Sequence, residues 1–127
     1  MAGALSVVLV LVTLSAGEPP HVSFSTAEDA ADCAAKGERL GAILTGAGYR
    51  IGAQACVETE DRFAPYDHGA SVFPHAYRVT VPAIGAASVE PLVRLDDCTA
   101  APDADPAVWC ALSAHCLLYT SPSPRDS

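Results

Sequence analysis

Hydrophobic and polar positions along the chain change rhythm several times. After Pro19 and Pro20, the stretch His21, Val22, Ser23, Phe24, Ser25 alternates weakly and predicts a short strand. Thr26 then offers a helix N-cap, and Glu28 and Asp29 put negative charge where the helix dipole favours it. A helix is expected over residues 27–44, with a buried stripe of Ala30, Cys33, Ala34, Gly37, Leu40, Gly41 and Leu44. Glu28, Asp32, Lys36 and Arg39 face water in this reading, and Asp32 and Lys36 form an i, i+4 pair. Gly37 and Gly41 flatten one face for packing against a sheet, and Gly46 and Gly48 supply the stop.

Tyr49, Ile51, Ala53, Ala55 and Val57 alternate with Arg50, Gly52, Gln54, Cys56 and Glu58, the clearest strand in the chain. Strict alternation puts Cys56 on the polar face, away from the helix that carries Cys33, and a bulge at Gly52 would relieve the conflict. Residues 59–74 read as a long loop rich in charge, Pro and Gly. Tyr77, Val79 and Val81 alternate with Arg78 and Thr80 in a second good strand closed by Pro82. Residues 89–95 form a third strand that Pro91 confines to an edge, and residues 96–106 a turn-rich loop. The fold expected from this pattern is α+β, one helix packed on a small, mainly antiparallel sheet of about three strands, stapled by disulfides.

One stretch stands outside this pattern. Residues 4–16 (ALSVVLVLVTLSA) are uncharged and mostly aliphatic, and at 13 residues they are too short for a spanning helix, which needs about 20. The alternatives are a signal-peptide core and a buried apolar strand, and the signal reading is preferred. Ser15, Ala16 and Gly17 place small residues at a signal peptidase site, and Glu18, Pro19 and Pro20 then break any helix. Cleavage is expected after Gly17, with Ala16 the alternative, so residues 1–17 are assigned to a signal peptide and 18–115 to a small exported domain. No stable membrane span is expected.

Composition narrows the partners. The chain of 127 residues carries 15 acidic against 7 basic side chains, a net charge of -8, and its single lysine is Lys36. Nucleic-acid affinity comes chiefly from cations that displace condensed counterions, so DNA and RNA are excluded as partners. The partner is otherwise unknown, and a cell-envelope glycan or protein stays open. Cys33, Cys56, Cys98 and Cys110 make an even set in an exported chain, which predicts two disulfides. Three connectivities are open. The local one, Cys33 with Cys56 and Cys98 with Cys110, is favoured because each pair closes a short loop.

Candidate chemistry concentrates in residues 58–75. Glu58, Glu60, Asp61, Asp67, His68 and His75 offer oxygen and imidazole donors for a divalent cation or an acid/base pair, with Asp67, His68 and His75 the metal candidates. Neither Asp-x-Asp-x-Asp-Gly nor His-Glu-x-x-His occurs, so a solvated loop is the preferred reading. Ser71 with Asp67 and His68 or His75 lacks the Gly-x-Ser-x-Gly setting of a hydrolase nucleophile. No catalytic residue and no cofactor is assigned.

Four resemblances remain. Trp109-Cys110-Ala111-Leu112-Ser113 resembles the Trp-Cys-x-x-Ser variant of thioredoxin-like redox motifs, but it lies late in the chain, where a structural cysteine beside a packed tryptophan is expected. Residues 116–126 (CLLYTSPSPRD) resemble the translation of a transposase-type sequencing adaptor, which implies that 116–127 is not native and that Cys116 leaves both the cysteine count and any zinc set with Cys110 and His115. Strand, helix, Ala47-Gly48-Tyr49, strand, then Ala76-Tyr77-Arg78-Val79-Thr80-Val81 is similar over residues 21–82 to the first part of a SPOR domain. That likeness implies a βαββαβ module binding peptidoglycan glycan strands. Cys33 in an Ala-rich helix, Leu40, Gly48-Tyr49 and Cys56-Val57-Glu58-Thr59 also resemble short exported proteins of high-GC bacteria, which implies location only. The function expected is a secreted or periplasmic binding or structural domain, with a SPOR-like glycan binder or a metal-dependent hydrolase as alternatives.

Overall fold

A computed structural model describes residues 6–59, 62–63, 75–113 and 117–119. The elements are strands β1 (Ser6–Leu14), β2 (His21–Ala27), helix α1 (Ala30–Gly46), then β3 (Arg50–Thr59), β4 (Arg62–Phe63), β5 (His75–Val81), β6 (Ser88–Leu92), β7 (Ala107–Ser113) and β8 (Leu117–Tyr119). A single 3-10 turn, Leu95–Asp97, lies between β6 and β7. Six strands form the main sheet in the order β3-β1-β2-β7-β5-β6, while β4 and β8 pair separately.

The sheet has two antiparallel halves joined by a narrow seam. β1 lies between β2 and β3 and runs antiparallel to both. β5 lies between β6 and β7, again antiparallel to both. The halves meet where β2 and β7 run parallel, paired at His21 and Leu112, with the Leu112 N–H donating to the Pro20 carbonyl at 2.9 Å. The α+β class with one helix therefore stands for the described residues, but the expectation of a sheet of about three strands is corrected to six strands in a mixed sheet.

Burial explains the miscount. In β1, Val8, Leu9, Val10, Leu11 and Val12 are all buried, so apolar residues occupy both parities and no period-two signal survives. β7 buries the neighbours Cys110 and Ala111, with Leu112 half-buried and Ser113 buried again, which has the same effect. The strands that alternate visibly have one side less covered. The residues read as a leader core thus occupy the middle of the first half-sheet.

The curled sheet encloses its main core. Val8, Val10 and Val12 of β1 meet Val22 and Phe24 of β2, Tyr77 and Val79 of β5, and Ala111 of β7. Each of the valines and Phe24 contributes about 1.5–3 kcal/mol on burial. Phe24 and Tyr77 stack edge to face at a centroid distance of 5.2 Å, so an aromatic pair locks the two halves where backbone pairing is sparse. Trp109 reaches the opposite strand, where a Cβ on Gly52 would lie 3.0 Å from its Cη2. A second core lies on the other face of β1, where Leu9, Ala27 and Cys33 pack with Val7 and Leu40 beneath α1.

Helix α1 starts later than expected. Asp29, not Thr26, is the N-cap; its side chain accepts from the Asp32 N–H at 2.8 Å, while Asp32 accepts from the Glu28 N–H at 2.9 Å. Ala27 is held in β2 by pairing with Val7 and by burial, which delays the helix. Lys36 donates to the Thr26 carbonyl and lies 3.9 Å from Asp32. The helix ends at Gly46; Gly48 follows at φ +98, and the Tyr49 N–H closes the turn on the Leu44 carbonyl at 3.0 Å. Of the expected stripe, Cys33 and Gly37 are buried and Leu40, Gly41 and Leu44 half-buried, but Ala30 and Ala34 are exposed. Ala34 sits about 100° around the helix from Cys33, at the margin of a narrow contact, and Ala30 begins the first turn.

Both cysteine pairs are at bonding distance, Cys33 with Cys56 and Cys98 with Cys110, at S–S separations of 2.11 and 2.09 Å. A bulge does occur at Gly52, since Val12 pairs with Ala53 and Thr13 with Ile51. It lies upstream of Cys56 and is not what brings the sulfurs together. Cys56 pairs with Leu9, which packs with Cys33, so α1 meets β3 on the face that looks polar, although Gln54, Cys56 and Glu58 stay exposed there. The other face, with Ala53 and Val57, packs against the main core. The second disulfide closes a hairpin also held by reciprocal backbone bonds between Ala101 and Val108.

Two outcomes follow from this packing. The atoms nearest a Cβ at Gly37 belong to the amide at the end of the exposed Gln54 side chain, whereas one at Gly52 meets the indole ring. Gly37→Ala, which gains helix propensity, is expected to be neutral or stabilising by up to about 1 kcal/mol, and Gly52→Ala to cost about 1 kcal/mol or more, in urea unfolding. Replacing Cys33 and Cys56 together by Ala is expected to cost about 3 kcal/mol, and more than the same change at Cys98 and Cys110, whose hairpin keeps its backbone bonds. Equal losses would contradict this ranking.

Candidate functional site

The sequence candidates do not assemble into a site among the described residues. Glu60, Asp61, Asp67, His68, Ser71, His115 and Cys116 lie outside them. His75 opens β5, half-buried, and pairs with Ser113 of β7. Glu58 stands exposed near the end of β3. No three His, Cys, Asp or Glu side chains among the described residues come together in a way that could hold a metal ion.

The Trp-Cys-x-x-Ser stretch lies within strand β7 and does not open a helix. Cys110 is bonded to Cys98, and Trp109 packs on Gly52 and the main core. Both residues are thus occupied in holding the fold. Arg78 is occupied as well: it pairs with Glu90 across β5 and β6 and donates to the Asp97 carbonyl at 3.2 Å, tying the 3-10 turn to the sheet.

A different feature emerges from the curl of the sheet. Its two end strands, β3 and β6, border one depression of about 220 Å³, lined by Val8 and Val10, by Val57, Glu58 and Thr59, and by Ala87, Ser88 and Val89. Trp109 fills the space over Gly52, towards the other end of β3. At the Val57 end the described residues leave an apolar floor of valines and alanine beneath a rim of Glu58, Thr59 and Ser88.

The described lining is mostly apolar in its residue types. Among the described residues, Glu58 is its one ionisable residue, and no described histidine, cysteine, lysine or arginine lines it. The volume lies below the roughly 300–1,000 Å³ of pockets for drug-sized ligands and suits an apolar group the size of one side chain. Apart from Glu58, sequence reasoning singled out none of these residues as a site, because valines and alanines scattered over three distant segments carry the pattern of a core and nothing more.

Comparison with protein-family models, with curated proteins and with solved structures found no match for the chain.

Proposed function

We propose that this chain is a small secreted or periplasmic domain that works by binding, or as a structural part of a larger assembly, rather than by catalysis. The observation that carries the reading is the pairing of Cys33 with Cys56 and Cys98 with Cys110 in two separate parts of the fold. Disulfides of this structural kind persist in oxidising compartments, and a domain of this size gains stability from them that its core alone supplies sparingly. No helix among the described residues is long and apolar enough to cross a membrane.

The binding half of the proposal rests on the depression between β3 and β6, whose described lining offers apolar contact and a polar rim with no proton-transfer pair among the described residues. An acidic domain with a net charge of -8 and such a lining favours apolar or cationic groups over phosphates.

Intact-mass analysis of the native protein tests the compartment. Alkylation without prior reduction is expected to label none of Cys33, Cys56, Cys98 and Cys110; labelling of all four would overturn the exported reading. Titration with zinc or calcium is expected to leave the thermal midpoint unchanged, and a midpoint that rises with metal concentration would transfer support to a metal-dependent activity.

A further inference from the structure

The strand that organises the first half-sheet is also the segment whose composition fits a signal-peptide core, and the two roles exclude one another in a single processed chain. Hydrolysis of the Gly17–Glu18 bond, with one water leaving a carboxylate on Gly17 and an amine on Glu18, would detach β1. The site is accessible, because Ala16, Gly17, Glu18 and Pro19 are exposed in the turn between β1 and β2.

Loss of β1 would leave a groove rather than an open end. Seven residues of β2, His21 to Ala27, and nine of β3 now pair with β1, so both strands would face the vacancy with unsatisfied backbone groups. The walls would stay tethered: β2 runs directly into α1, and Cys33 of α1 is bonded to Cys56 of β3. Phe24 would still anchor β2 to Tyr77 in the other half-sheet.

Resting on the exported reading, we infer that the space between β2 and β3 is a strand-acceptor site, filled after leader removal by an extended aliphatic strand that a partner protein donates. The groove dictates the chemistry of that strand. It runs antiparallel to both neighbours over about nine residues, the span of β1. Positions equivalent to Val8, Val10 and Val12 enter the main core, and those equivalent to Val7 and Leu9 enter the core beneath α1. An amphipathic strand with one charged face does not satisfy this; the donor is apolar on both faces and uncharged through its centre.

The full-length, oxidised protein provides the test, with a site-specific protease sequence placed in the exposed turn. After the folded chain is cut, a labelled peptide with the sequence of Ser6–Leu14 is added in urea below the unfolding transition. Saturable uptake at one peptide per chain, with a raised thermal midpoint, is expected. A peptide carrying Leu9→Asp, which buries an unpaired carboxylate, is expected to bind at least about a hundredfold more weakly. No uptake, or equal uptake of the two peptides, overturns the acceptor site. An exported native protein whose intact mass still includes residues 1–17 overturns the release of β1, whichever way the cut chain behaves, and free thiols in that protein separately overturn the exported reading on which the inference rests.

Discussion

Burial of β1 on both faces is the constraint from which the rest of the architecture follows. One face of the strand supplies valines to the core enclosed by the curled sheet, and the other supplies Val7 and Leu9 to the layer under the helix. Because β1 also pairs along both edges, it joins β2 to β3, which are also linked through α1 and its disulfide. The second half-sheet attaches through one parallel bridge, an edge-to-face aromatic pair and the reach of Trp109. Side-chain packing does there what backbone pairing does within each half.

The disulfides divide their labour along the same lines. Cys33–Cys56 has a sequence separation of 23 and ties the helix to an end strand, whereas Cys98–Cys110, with a separation of 12, tightens a hairpin that already has backbone bonds. The end strands are protected differently. Pro91 lies in β6 and removes a donor, as suits a terminal strand, while β3 carries a bulge and is tied to α1 by the disulfide. Their mutual approach produces the apolar depression to which a binding role is assigned.

Much of this was legible in the sequence, and the exceptions have physical causes. Period-two alternation gave β3 and β5 within a residue or two, and Pro91 placed β6 at an edge. The helix and its glycine stop were visible, but the expected N-cap, Thr26, was not the right one, because Ala27 belongs to β2 and Asp29 caps the helix. The local cysteine pairing was favoured for its short loops, but the reasoning about Cys56 assumed that the helix covers the more apolar face of β3. In fact α1 approaches the face carrying Gln54 and Cys56, with the Gln54 amide beside Gly37 and Cys56 bonded to Cys33, while both residues stay exposed. β1 and β7 escaped because doubly buried strands lose the alternation by which strands are found, and an uncharged aliphatic segment satisfies a translocation signal and a central strand equally well.

Native-state hydrogen exchange on the full-length, oxidised protein tests the central role of β1 most directly. Its amides bond to strands on both sides, so those of Leu9 to Val12 are expected to exchange only through global unfolding, with protection equal to the most stable amides of β5. Exchange of those four amides as rapid as that of the exposed turn at Ala16 to Glu18, while β5 stays protected, would contradict the account.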